Sequence, residues 1–142
     1  MYDHPQALVL VAAGNEGAGG FSTVSSPANT KNGLSVGCSG STHARYGPGR
    51  VRVSAFSSRG PTVGDARIKP DVVVPGEQVL SALGRGRGPQ HDAAPGQESC
   101  AAVYMRGTSM ASPVLAGHVL LVRQYFEDGA YAAALREAGL CG

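Results

Sequence analysis

The chain has 142 residues, a formal net charge of +2, 42% hydrophobic residues and 15% charged residues. That length and apolar share suffice for one core and exclude a disordered tail, and so small a charge excludes recruitment to nucleic acid or an anionic membrane. No run reaches the eighteen or so apolar residues of a membrane span, and no charged-then-apolar leader opens the chain. Asp3-His4-Pro5 reads as a surface turn leading into an unbroken apolar run, Leu8 to Ala13, that ends at Gly14-Asn15. A run without polar alternation predicts a strand over residues 7–13 buried on both faces, as in a parallel sheet. Asn15 then stands at the carboxyl edge, where open α/β sheets bind ligands. Alone, Gly-Asn is an ordinary turn dipeptide. A loop to about residue 32, a strand over 33–38 and a variable loop to about 50 follow. Short strands are predicted over 51–56, 71–74 and 79–82, then a polar, Gly-rich excursion over 84–99. Within it, Arg85-Gly86-Arg87-Gly88 has no aromatic platform beside it and reads as an insertion loop rather than an RNA contact. A strand over 101–105 and helices over 108–126 and 130–138 complete an alternation that predicts an α/β fold with a largely parallel sheet.

The start of the longer helix carries the chemistry. Apolar residues at Met110, Val114, Leu115, Leu121, Val122, Tyr125 and Phe126 keep a mostly helical rhythm that places Ser109 in the first turn. There the unpaired backbone N–H groups and the positive end of the helix dipole favour an oxyanion beside the Ser109 hydroxyl. The plain structural alternative is a capped helix start, with Thr108 or Ser109 as the cap and Pro113 tolerated near the first turn. The three cysteines, Cys38, Cys100 and Cys141, show no Cys-x-x-Cys and no histidine at zinc spacing, so no metal site is expected. Their odd number leaves pairing within the chain open. Cys100, in Glu98-Ser99-Cys100-Ala101, is a runner-up nucleophile without a recognisable setting.

Gly107-Thr108-Ser109-Met110-Ala111-Ser112-Pro113 resembles the nucleophile motif of the subtilases, the subtilisin-like serine proteases of peptidase family S8. Ala12-Ala13-Gly14-Asn15 resembles the segment that carries the subtilase oxyanion-hole asparagine. Ser26-Pro27-Ala28, Lys31-Asn32-Gly33, Ala55-Phe56-Ser57-Ser58 and Lys69-Pro70-Asp71-Val72 follow the family's block order, so the likeness runs nearly end to end. It implies a three-layer α/β fold, a mostly parallel sheet flanked by helices, with residues 1–142 forming an incomplete catalytic domain. It implies a serine endopeptidase working through an acyl-enzyme at Ser109 on protein or peptide substrates. Asn15 would donate to the oxyanion, because a side-chain amide is a neutral donor that brings no titrating charge. Ala12, Ala13 and Gly14 would line the primary specificity pocket, and Thr108 would belong to the substrate-binding set. Calcium, and a secreted or endomembrane setting, are likewise implied only by the family.

In this family the triad order is Asp, His, Ser. Both partners of Ser109 should then lie upstream of the Asn15 segment, yet Asp3 and His4 lack the family settings, as do His43, His91 and His118. Asp71, in a structural block, is expected to pack or hydrogen-bond. The chain therefore reads as the carboxyl-terminal half of a subtilase catalytic domain, inactive alone, with the amino-terminal half as its missing partner. Two alternatives stay open: a catalytically inactive pseudo-enzyme or binding module of the same fold, and a sedolisin-type acid peptidase, whose serine setting lacks the Met-Ala-Ser-Pro continuation.

Overall fold

The computed structural model describes residues 4, 6–40, 52–83 and 102–140. Three short runs rich in Val, Leu and small residues, β1 (Leu10–Ala12), β2 (Leu34–Ser39) and β3 (Val72–Pro75), form one parallel sheet in the order β1-β2-β3. Leu10 lies opposite Leu34, and Val36 opposite Val72. The pleat sends alternate side chains to opposite faces. Val36 and Cys38 of β2 therefore join Leu10, Val72 and Val74 on one face, where Ala111 and Leu115 of the helix α1 (Thr108–Glu127) cover them. Val11 and Ala13 pack on the other side with Val24 and Ala28 from the loop after β1. That loop also holds a 3-10 turn, Gly17–Gly19, which the sequence pattern did not signal. Parallel strands joined by crossovers, covered by a helix, make this an α/β fold with a largely parallel sheet.

A second, two-stranded antiparallel sheet pairs β4 (Val79–Ala82) with β5 (Ala102–Met105) and feeds straight into α1. The last helix, α2 (Ala130–Glu137), meets α1 through an aromatic cluster of Tyr125, Phe126 and Tyr131. Asp71 has the structural role expected of it. Its carboxylate accepts from the Ser35 N–H at 2.7 Å and the Lys69 Nζ at 2.6 Å, tying the entry of β3 to β2. Arg67 similarly donates to the Asn29 and Thr30 carbonyls and pairs with Asp65.

Two strand expectations change. Instead of a strand over 51–56, the described part of that stretch has a single bridge, Val53 to Ser39. The chain turns at once because Ser57 N–H bonds back to the Ser54 carbonyl and the Ser57 hydroxyl accepts from Cys38 N–H. The strand over 7–13 shortens to Leu10–Ala12, with Leu8 and Val9 exposed rather than buried on both faces. Among the described residues β1 is an edge strand, with β2 as its neighbour. Asp3, His43, Arg85 to Gly88, His91, Cys100 and Cys141 lie outside the described residues.

Candidate active site

The carboxyl ends of β1 and β3 converge on the start of α1. From β1 come Gly14 and Asn15; from β3 comes Gly76, whose carbonyl accepts from Gly107 N–H at 3.0 Å. Gly107 stands at φ 152°, a backbone conformation suited to glycine. Gly76 is fixed by space: a Cβ there would come within 2.7 Å of Cys38 Sγ, 2.8 Å of the Gly107 carbonyl and 2.9 Å of Ala111 Cβ. The turn at Gly107 thus rests on a floor that admits no side chain.

Neither Thr108 nor Ser109 caps α1. The N-cap is Gly107, and no side chain of the cap itself bonds the helix. Capping comes from across the sheet edge, where Asn15 Oδ1 accepts from Thr108 N–H at 3.0 Å and from the Thr108 hydroxyl at 3.1 Å. The same hydroxyl accepts from Gly14 N–H at 3.3 Å, so Thr108 stitches both residues to the helix. With two donors on Oδ1, Nδ2 is the donor end of the amide. Ser109 is exposed in this first turn, where its own backbone N–H has no intrahelical acceptor. Asn15 thus lies against the turn whose next residue, Ser109, is exposed.

Two concavities flank it. One of about 360 Å³ is lined by Ser109, Met110, Pro113 and Val114 of α1 with Met105 and Val79 from the small sheet. The other, about 230 Å³, is lined by Asn15, Phe56 and Arg106, with the Arg106 guanidinium 5.9 Å from the Phe56 ring centroid. Sequence reasoning passed over Arg106 and read Phe56 only as part of a block, because nothing in the pattern marks a cation that meets an aromatic ring fifty residues away. Gly76 had a signal in Pro75-Gly76, but its role depends on the approach of Cys38.

The other expected site residues fall as follows. Ala13 packs into the core and is nearly inaccessible, so its side chain lines no pocket; Ala12 and Gly14 are half-buried at the strand end. Thr108, expected in the substrate-binding set, is fully buried with its hydroxyl engaged, and its place is beneath Asn15 rather than against a substrate. His118 is exposed, with Nδ1 on the Val114 carbonyl at 2.7 Å, and nine residues of helix separate it from Ser109 by about 13 Å of rise. It cannot serve as that serine's base. Burial pushes the Cys38 thiol above its ordinary pKa, against smaller opposing contributions from the Ser54 hydroxyl and the Gly107 and Gly76 N–H groups. No cluster of three His, Cys, Asp or Glu side chains able to cage calcium occurs among the described residues. Nor, among them, is any helix long and apolar enough to cross a membrane.

The model of the Subtilase family matches residues 2–138. Serine protease AprX of Bacillus subtilis (strain 168) is 34% identical over 123 residues, covering 85% of this chain and 27% of that protein. Pyrolysin of Pyrococcus furiosus is 33% identical over 134 residues, covering 81% of this chain and 9% of that protein. The Serine protease/ABC transporter B family protein tagD of Dictyostelium discoideum is 38% identical over 81 residues, covering 56% of this chain and 4% of that protein. Among solved structures, the S41 psychrophilic protease superposes with a TM-score of 0.56 at 32% identity, over 82% of this chain and 33% of that one. The chain spans little more than a quarter of AprX and less than a tenth of the other two relatives.

Proposed function

Because the chain belongs to the subtilase family, we propose that it carries the nucleophile and oxyanion-hole portion of a serine endopeptidase catalytic domain, residues 1–142 being its carboxyl-terminal part. The observation that carries this reading is the Asn15 to Thr108 contact, which sets an amide donor beside the first turn that exposes Ser109. In the proposed reaction the Ser109 Oγ attacks the scissile carbonyl carbon while its proton passes to a base. The family's chain order puts that histidine, and the carboxylate that orients it, in a segment upstream of Asn15. Asn15 Nδ2 and the Ser109 N–H hold the oxyanion of the tetrahedral intermediate. Its collapse expels the amine with the transferred proton and leaves an ester on Ser109, which water then hydrolyses. Thr108 and Gly76 act as positioning residues for this turn.

The apolar surface exposed among the described residues supports the fragment reading. Leu8 and Val9 beside the edge strand and the outer residues of α1 are exposed, whereas an upstream half of the same domain would cover them. The test is the full-length protein treated with a serine-directed phosphonate and assayed on a peptide library. Ser109→Ala is expected to abolish both labelling and hydrolysis. Labelling that survives the change, or maps to another residue, would remove Ser109 from this role.

A further inference from the structure

We propose that Arg106 forms a carboxylate-selecting subsite beside Asn15, so that this peptidase favours substrates with a carboxylate close to the scissile bond. This rests on the peptidase reading above and names a substrate class for it. Arg106 immediately precedes the Gly107 turn, and its guanidinium lies over the Phe56 ring, which restrains a side chain that would otherwise sweep through solvent. With Asn15, the proposed oxyanion donor, these two residues line the concavity of about 230 Å³. A guanidinium held over a ring face at this distance keeps N–H donors available, in a fork that matches a carboxylate.

No anion of the chain occupies that fork among the described residues. The ion pairs there are Arg67 with Asp65, Lys69 with Asp71 and Arg123 with Glu127. Glu16, the acidic residue adjacent to Asn15, is engaged by the Ser58 hydroxyl at 3.1 Å. The larger concavity beside Ser109 offers the contrast, since its walls are Val79, Met105, Met110, Pro113 and Val114 and carry no charge. One side of the turn is apolar, and the other presents a cation with no carboxylate partner among the described residues.

The carboxylate can come from a substrate side chain or from a peptide's own carboxyl terminus, and the test separates them. The full-length protein is assayed on peptides matched as Glu against Gln at each of three positions on either side of the cleaved bond. A second set compares a free carboxyl terminus with its amide on the leaving side. The expected result is a preference of about 2- to 5-fold in kcat/KM for the carboxylate at one position, carried by KM and reduced by added salt. In Arg106→Gln that ratio falls to one, and Arg106→Lys restores part of it. A ratio of one in the unmodified protein overturns the proposal, as does a ratio that persists in Arg106→Gln. Equal slowing of all peptides in Arg106→Gln also overturns it, because Arg106 would then act on the oxyanion through its charge alone. Phosphonate labelling at Ser109 with no carboxylate preference removes only the subsite; no labelling and no hydrolysis removes the peptidase reading and the subsite together.

Discussion

The two ends of α1 obey different rules. At its start, Thr108 and Ala111 are 0% exposed, and the backbone is tied to two strand ends through Asn15 and Gly76. Toward its other end Leu120, Leu121 and Phe126 are 65%, 64% and 56% exposed, and the polar ties run through exposed Arg123, to Glu127 and to the Gln6 carbonyl. Polar, directional contacts hold the first region; the second is an apolar surface that only another layer of protein would make favourable. A helix apolar on nearly every side is built for a core on nearly every side. The strand ends fix the start of α1, whereas its far half, beyond the aromatic cluster with Tyr131, is exposed among the described residues.

The sharpest way to break this comparison is at Asn15, which in the proposed reaction does both jobs: its Oδ1 caps the helix and its Nδ2 faces the oxyanion. In the full-length protein Asn15→Ala is expected to lower kcat by about 100- to 1000-fold with little change in KM, the size the handling of one oxyanion donor has in subtilisin. It should also cost about 1 kcal/mol of stability, the usual loss of an N-cap acceptor. Asn15→Asp keeps the acceptor for Thr108 and discards the donor, so it should lose turnover as badly while keeping the melting temperature. Parallel kinetics and thermal melts of the two variants decide. If Asn15→Asp retains turnover, the donor role is wrong.

The opposite end is tested by a charge. If an upstream half covers α1, Leu121→Glu in the full-length protein buries a carboxylate without a partner and should cost about 3 kcal/mol or more, seen as a lowered denaturant midpoint. In residues 1–142 alone, position 121 faces water, and the same change should raise solubility, because the unmodified chain is expected to aggregate through this face and the β1 edge. A soluble, cooperatively melting 142-residue chain that cleaves peptides would contradict the fragment reading outright.

How legible all this is in the sequence follows from how local each cause is. The α1 start, the β2 strand and the Gly14-Asn15 strand end are written in short-range periodicity and turn chemistry, and their boundaries shift by a residue or two. The apolar run over residues 8–13 marks a strand, but pattern alone cannot report that it shortens to Leu10–Ala12 and that Leu8 and Val9 find no cover among the described residues. Val53 and its neighbours have alternating character yet turn away, since Ser54 and Ser57 spend their hydrogen bonds on Cys38. Least legible are the long-range fits: Thr108 under Asn15, Cys38 against Gly76, Arg106 over Phe56. Each joins residues that share no local pattern.

Between the two extremes sits the floor of the turn. Gly76→Ala would place a methyl within 3 Å of Cys38 Sγ, the Gly107 carbonyl and Ala111 Cβ, two of them belonging to rigid elements. The expected cost is about 1–3 kcal/mol, as for overpacking a filled core, with kcat falling further than that because Gly107 must move. Pairing the change with Cys38→Ala should recover part of the stability by opening space at Sγ. The recovery is read from denaturant midpoints of the single and double variants, and simple additivity would show that the contact does not matter.

The smallest expected effect belongs to Asp71, far from both ends of α1. Burial acts to raise its pKa, but the Lys69 ammonium and the Ser35 N–H together outweigh it and hold the carboxyl below the ordinary range. A carboxyl whose folded pKa is depressed contributes stability above its unfolded pKa, near 4, and loses that contribution as pH falls through the folded value. The exposed Asp65, lowered to about 2 by the Thr62 hydroxyl and Arg67, adds to the same acid limb. Asp71→Asn keeps an acceptor for both donors and removes only the charge. Since the Asp71 side chain is 31% exposed and its attraction to Lys69 is partly screened, the change should cost about 0.5–1 kcal/mol at pH 7. Below pH 4 the difference between the two proteins should shrink toward zero. Chemical denaturation of both at pH 7 and pH 3 tests this. A difference that stays constant between the two pH values would mean that Asp71 acts through hydrogen bonding alone and that its charge contributes nothing to the fold.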